Sequence, residues 1–228
     1  SEMCIRDRSW YVKHFQAKRK FLFFPIIQKD QDFRLLLENA LPVSKILEDT
    51  YHLEGRQVLL FVGRLIDIKN LFFLLDALAL VVNRYPKVIL LFVGDGDQRV
   101  ALERHAERNG LADHVIFAGK KQGEDLYACY NVGQIFVLPS YYERFGAVVN
   151  EALLAGCYTL CSVVAGAACL IEPQKNGDLF DPASKTYLAE KLAQSLKDCE
   201  GLKQISLKAN KMCYSYDLSL IHISEPTR

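Results

Sequence analysis

The chain of 228 residues is half hydrophobic and carries 28 basic against 27 acidic side chains. That length suits one well-buried domain with a lead-in, and the balanced charge gives no polyanion-seeking surface, so nucleic acid is not an expected partner. No apolar run approaches the roughly 18 residues of a membrane-spanning helix.

The two ends read differently from the middle. The C-terminal LSLIHISEPTR and the N-terminal segment from Ser1 to Asp7 can be encoded by opposite strands of one DNA stretch. Ends so related resemble transposon adapter sequence translated along with a gene. Residues 1–8 and 218–228 are therefore read as adapter-derived, and the chain as a fragment open at both ends. Residues 9–50 read as a lead-in to a domain at 51–217. Within it Lys13, His14, Lys18, Arg19 and Lys20 precede a short apolar run at 21–27, broken by Pro25. A basic and aromatic segment of this kind can touch an anionic membrane surface; an ordinary lead-in is the other reading. Residues 32–41 suit a short helix ending before Pro42.

From Gln57 onward strands and helices alternate. Residues 58–62 are a continuous apolar run, as expected of a strand buried on both faces. A helix is expected over 71–82, with Asn70 as its N-cap. A second strand at 88–93 precedes a helix over 98–109, stopped by Gly110. A third strand at 115–117 is followed by a short helix at 124–130, and a fourth at 135–138 by a helix at 147–155. The fifth strand is expected at 159–163, a turn at Asn176-Gly177, and one long amphipathic helix over 183–199. Such alternation predicts an α/β fold, a doubly wound parallel sheet with helices on both faces.

The seven cysteines include no Cys-x-x-Cys. Cys129 and Cys199 fall on predicted helices, and Cys157, Cys161 and Cys169 in apolar strand or turn contexts. Buried, reduced thiols in a cytoplasmic protein are the expectation, rather than a disulfide or a metal site. His14, His52, His105 and His114 match no metal-ligand spacing.

The ligand of a doubly wound sheet lies beyond the carboxyl ends of its strands, and the chemistry-bearing residues fall there. After the fourth strand comes Pro139-Ser140, then Glu143, Phe145-Gly146 and a helix carrying Glu151. A strand, a glycine-containing loop and a helix N-terminus make an anion site, although spacing alone equally allows a joint with two solvated acids. After the first strand come Gly63 and Arg64, with Lys69 just before the next helix. A guanidinium fork and a mobile ammonium suit two linked phosphates. Gly94 and Gly96 after the second strand read as a turn that lets backbone approach a ligand. The same stretch, Asp95-Gly96-Asp97, is also a possible divalent-metal pair, the disfavoured reading.

Glu143-x7-Glu151 with Phe145-Gly146, preceded by Pro139-Ser140, resembles the signature of family-4 glycosyltransferases with the GT-B fold. Val62-Gly63-Arg64-Leu65 with Lys69, Val93-Gly94-Asp95-Gly96, Val115 to Gly119 and Asn176-Gly177-Asp178-Leu179-Phe180 stand in the family's order. The resemblance covers roughly Gln57 to Leu196. It implies that 51–217 is the Rossmann-like C-terminal half of a GT-B enzyme, binding the nucleotide-diphosphate-sugar donor of a retaining glycosyltransferase. Arg64 and Lys69 would hold the diphosphate and stabilise charge on the leaving group. Glu151 would accept the ribose hydroxyls, and Glu143 a hydroxyl of the donor sugar. Backbone amides of Phe145, Gly146 and Ala147 would face phosphate or sugar, with Gly63 and Gly94 beside them and Gly119 and Lys121 near the base. Glu143, Arg64 and Lys69 form the implied catalytic set, with no cofactor and no metal. A glycan or lipid-linked acceptor would bind an N-terminal domain that this chain lacks, so turnover by the chain alone is not expected. The setting implied is bacterial polysaccharide synthesis, in the cytoplasm or at the inner face of the membrane. A GT-B sugar epimerase, a binding-only module and a glycosidase-like acid pair are the rival readings.

Overall fold

The computed structural model describes residues 30–213, with side chains through residue 208. The adapter-like ends and the basic, aromatic segment before residue 30 lie outside the described residues. Two helices come first, α1 (Asp30–Asn39) and α2 (Leu41–Thr50). There follow β1 (Gln57–Val62), α3 (Leu71–Ala79), β2 (Val88–Val93), α4 (Arg99–Arg108), β3 (Val115–Gly119), α5 (Glu124–Val132) and β4 (Ile135–Leu138). The chain continues through α6 (Ala147–Leu154), β5 (Tyr158–Ser162), β6 (Gly177–Phe180), α7 (Lys185–Ser195) and α8 (Cys199–Cys213).

All strand pairs are parallel, in the order β3-β2-β1-β4-β5-β6. The expected α/β class and doubly wound sheet are therefore what the chain forms. β2 and β4 are buried along their whole length, and β1 from Val58 to Val62. This is why they carry continuous Val, Ile, Leu and Phe instead of alternation. Helices cover both faces because a parallel connection must cross over the sheet.

Several local expectations are corrected. The helix expected over 32–41 is α1, which ends at Asn39 before Pro42, but Pro42 also sits in the first turn of a second helix, α2, where its missing N–H is no loss. α1 and α2 pack on α5: Phe33 meets Tyr127 edge-on at 5.4 Å, and Asn131 Nδ2 donates to the Leu37 carbonyl at 2.8 Å. The helix expected over 71–82 stops at Ala79. The single helix expected over 183–199 is two, α7 ending at Ser195 and α8 starting at Cys199. Asn176 marks the entry to a sixth strand; its buried amide donates to the Leu170 carbonyl at 3.1 Å and accepts from Glu172 N–H at 2.7 Å. Four of the thiols, those of Cys129, Cys157, Cys161 and Cys199, are buried as expected, and burial pushes them up to between about 11 and about 12. Cys169 is exposed instead. It lies on a short 3-10 turn, Gly166–Leu170, that follows β5.

Candidate functional site

Winding reverses between β1 and β4, its two central neighbours running in parallel. Both chains therefore leave the sheet at the same edge and diverge, β1 toward one flank and β4 toward the other, opening a crevice. On the β1 side three loops are laced by backbone bonds. Gly63 N–H donates to the Val93 carbonyl at 2.9 Å, Gly94 N–H to the Gly119 carbonyl at 2.8 Å, and Leu65 N–H to the Asp95 carbonyl at 2.9 Å. Gly94 is obligatory here: its φ is +141°, and a Cβ would lie 1.8 Å from the Gly63 carbonyl oxygen. This close approach leaves an open cleft of about 340 Å³ whose lining includes Gly63, Arg64, Gly94, Asp95, Lys120 and Lys121. Arg64 is exposed at its rim, and Lys121 is half-buried. Lys120 was not singled out by motif, only its neighbour was. Another cleft of about 340 Å³, near Lys45, Arg56 and Gln134 at the opposite edge, contains none of the motif residues.

On the β4 side the loop 139–146 meets the loop 63–70. Lys69 closes a 3-10 turn, Asp67–Lys69, and its Nζ donates to Glu143 Oε2. The two side chains are only 13% and 16% exposed, so this is a sheltered ion pair and not a pair of solvated surface charges. Tyr141 adds two links: its N–H donates to the Ile68 carbonyl at 3.2 Å, and its hydroxyl donates to Asp67. Sequence reasoning missed Tyr141 and Asp67, which carry no motif of their own.

Gly146 starts α6 with φ +92° and ψ +60°, a left-handed conformation that glycine takes without strain. A Cβ there would come within 3.0 Å of Leu138 and 3.2 Å of the Glu143 Cγ. The amides at the start of α6, at and beside Phe145, Gly146 and Ala147, have no preceding helical carbonyl to bind and carry the positive end of the helix dipole. The Glu143 and Phe145 carbonyls are turned away, accepting from Gly166 N–H at 3.2 Å and Ala167 N–H at 2.6 Å. Glu151, one turn into α6, accepts from the hydroxyl of wholly buried Tyr130 at 2.6 Å. Desolvation raises the Glu151 carboxyl above its usual range, and the Tyr130 hydrogen bond opposes that rise. Burial likewise raises Tyr130, helped by the Glu151 charge.

The structure thus places Gly63, Arg64, Gly94 and Lys121 around one cleft, with Gly119 hydrogen-bonded into its wall. It brings Lys69 against Glu143, beside Phe145, Gly146 and Ala147 at the start of α6, and seats Glu151 on Tyr130. Asp95 caps its own turn by accepting from Gly96 N–H at 2.8 Å. Asp95 and Asp97 are both exposed, and among the described residues no three His, Cys, Asp or Glu side chains gather where they could hold a metal. Among those residues, too, no helix is long and apolar enough to cross a membrane.

The site chemistry is a cationic cleft beside a helix start and two partnered acids, on one sheet edge. The chain is 31% identical over 161 residues to an uncharacterized glycosyltransferase of Methanocaldococcus jannaschii, a match covering 71% of this chain and 41% of that protein. The chain thus spans less than half the length of that relative. The Anabaena protein HepE, solved in complex with UDP and glucose, superposes with a TM-score of 0.67 at 26% identity, over 74% of this chain and 46% of that one. WaaG, a glycosyltransferase involved in lipopolysaccharide biosynthesis, superposes with a TM-score of 0.75 at 22% identity, over 92% of this chain and 58% of its own. That last likeness speaks to fold alone, the Rossmann-like domain of GT-B enzymes. The family model of the glycosyl transferases group 1 matches residues 44–212, most of the chain, and the chain belongs to that family.

Proposed function

We propose that this chain is the donor-binding half of a retaining, family-4-type glycosyltransferase that moves a hexose-type sugar from a nucleoside diphosphate to a glycan or lipid-linked acceptor. The observation that carries the reading is the sheltered Lys69–Glu143 pair, set at the sheet edge where β1 and β4 part. A phosphate-seeking cation and a hydroxyl-seeking carboxylate stand in contact there. A donor that is anionic on one side and hydroxylated on the other engages both. In this reading Arg64 and Lys69 hold the diphosphate, and the amides at the start of α6 add positive potential. As the bond between the anomeric carbon and the diphosphate oxygen breaks, negative charge grows on the leaving oxygen, and those same groups stabilise it. Glu143 accepts a hydroxyl of the sugar. Glu151, already desolvated beside Tyr130, accepts the ribose hydroxyls. The cleft by Gly119 and Lys121 takes the base. With Arg64, Lys69 and the amides at the start of α6 supplying positive charge, binding needs no metal ion.

In this reading the acceptor binds a part of the enzyme outside the matched segment, which covers 41% of the archaeal relative. Transfer needs an acceptor hydroxyl held about 3–3.5 Å from the anomeric carbon, so the chain alone binds donor without transferring the sugar. Lys69→Ala tests the donor site. Calorimetry with UDP, ADP and GDP, each against its nucleoside, is expected to show diphosphate binding weakened far more than nucleoside binding. Equal losses for both ligands would remove Lys69 from the site.

A further inference from the structure

Asn70 stands between Lys69 and α3 in a left-handed conformation, φ 57° and ψ 42°. Few residues other than glycine adopt it, and Asn is among those that do. Asn is also a favoured helix N-cap, yet its side chain makes no capping bond to α3. The amide reaches across the sheet edge instead. Its Nδ2 donates to the Pro139 carbonyl at 3.3 Å and to the Pro182 carbonyl at 3.2 Å. Pro139 begins the loop that carries Glu143, and Pro182 follows β6. The backbone N–H of Asn70 closes the 3-10 turn on the Asp67 carbonyl at 2.9 Å. One residue therefore ties together the loops that leave β1, β4 and β6.

We infer that Asn70 is the positioning residue of the diphosphate site, acting through Lys69 and never touching ligand; the inference rests on the reading of Lys69 given above. A lysine has a flexible four-carbon stem, so its grip on phosphate depends on where its root is held. The left-handed residue after Lys69 turns the chain into α3 and leaves the lysine facing Glu143. The two amide hydrogen bonds then fix the Lys69 loop relative to the Glu143 loop. Tyr141, bonded to Ile68 and Asp67, braces the same pair of loops from the other side.

The test uses the 228-residue chain with Asn70→Gly, which keeps the left-handed backbone and removes the amide. The readout is the ratio of nucleoside Kd to nucleoside diphosphate Kd, taken with uridine and UDP, adenosine and ADP, and guanosine and GDP. A role in stability alone would lower Tm and leave that ratio as it is in the parent chain. The expected result is a ratio reduced about tenfold, the lower end of what a hydrogen bond to a charged group contributes to binding, with the nucleoside Kd within about twofold. In a Lys69→Ala background the same substitution should no longer change the ratio, because the group it positions is gone. An unchanged ratio in Asn70→Gly overturns the inference, as does a reduction that persists without Lys69. If Asn70→Gly does not fold, Asn70→Ala carries the same measurement, and failure of both to fold also overturns it, since losing a positioning residue leaves the domain intact. If Lys69→Ala alone leaves the ratio unchanged, the diphosphate assignment fails first, which separates the two ideas.

Discussion

Replacing Glu143 with Gln removes the negative charge that Lys69 holds while keeping nearly the same shape. At the carboxyl edge Lys69 already has a partner, and both side chains are sheltered from water. A hydrogen bond between charged groups is worth about 1.5–3 kcal/mol net, well below the roughly 4 kcal/mol of bare Coulomb attraction at 4 Å in a medium of effective dielectric 20. A nucleoside diphosphate must draw Lys69 away from Glu143 and also sit near a second negative charge. Glu143→Gln relieves both costs, so UDP, ADP or GDP is expected to bind about tenfold tighter, since about 1.4 kcal/mol is a factor of ten. The sugar-bearing donor behaves differently. It loses a charged acceptor for its hydroxyl, a loss of similar size, so its affinity should stay level or fall. Titration calorimetry of the nucleoside diphosphate and of the matching nucleotide sugar reads both numbers. A Glu143→Gln chain that binds nucleoside diphosphate no tighter than the parent refutes the competition for Lys69 on which the argument depends.

Two other outcomes follow from the same site. Glu151 has a folded-state carboxyl raised above its ordinary 4.5, chiefly by desolvation. A raised acid stabilises the fold below its ordinary value and loses that contribution as pH rises through the raised one. Glu151→Gln, whose amide oxygen can still accept from Tyr130, should therefore gain Tm over the parent from about pH 4.5 upward and then level off. A Tm difference that is flat between pH 4 and 8 would show that the carboxyl is not raised in the folded chain. Nucleoside diphosphate binding should survive EDTA; a collapse reversed by magnesium or manganese would bring Asp95 and Asp97 into the site.

Much of the sheet was legible because burial on both faces writes itself as uninterrupted apolar runs. Residues 88–93 and 135–138 form the strands expected of them, and glycines at strand ends mark where backbones nearly touch. Gly94 reads in sequence as a turn that lets backbone approach a ligand, whereas the close approach in the fold is to the Gly63 carbonyl. What stayed hidden depended on partners distant in sequence. Pro42 can follow one helix or start another, and here it does both, with Phe33 and Leu37 of α1 and Leu47 of α2 all buried in the core. Asn70 looks like an N-cap locally, but carbonyls 69 and 112 positions away claim its amide. Tyr130 sits in an apolar stretch of α5 with nothing to announce that its hydroxyl would meet an acid on α6.

That last contact distinguishes the two carboxylates, which the motif alone presents as equals eight positions apart. Glu143 is held by a cation on a flexible stem, and in the proposed reading that cation can leave the acid for phosphate when a ligand arrives. Glu151 is held by a hydroxyl anchored in the core, and Tyr130 cannot leave without opening a hole beneath α6. One acid is therefore built to release its partner and the other to keep it. A carboxylate can accept several hydrogen bonds at once, so in the proposed reading the paired hydroxyls of a ribose join the Tyr130 hydroxyl at Glu151 without bringing further charge. An acid whose ammonium partner is drawn to a diphosphate becomes free, at that moment, to receive a hydroxyl of the attached sugar. Exchange at Glu143 and permanence at Glu151 follow from what each acid touches, and that contrast suits the proposed division, sugar at the first and ribose at the second.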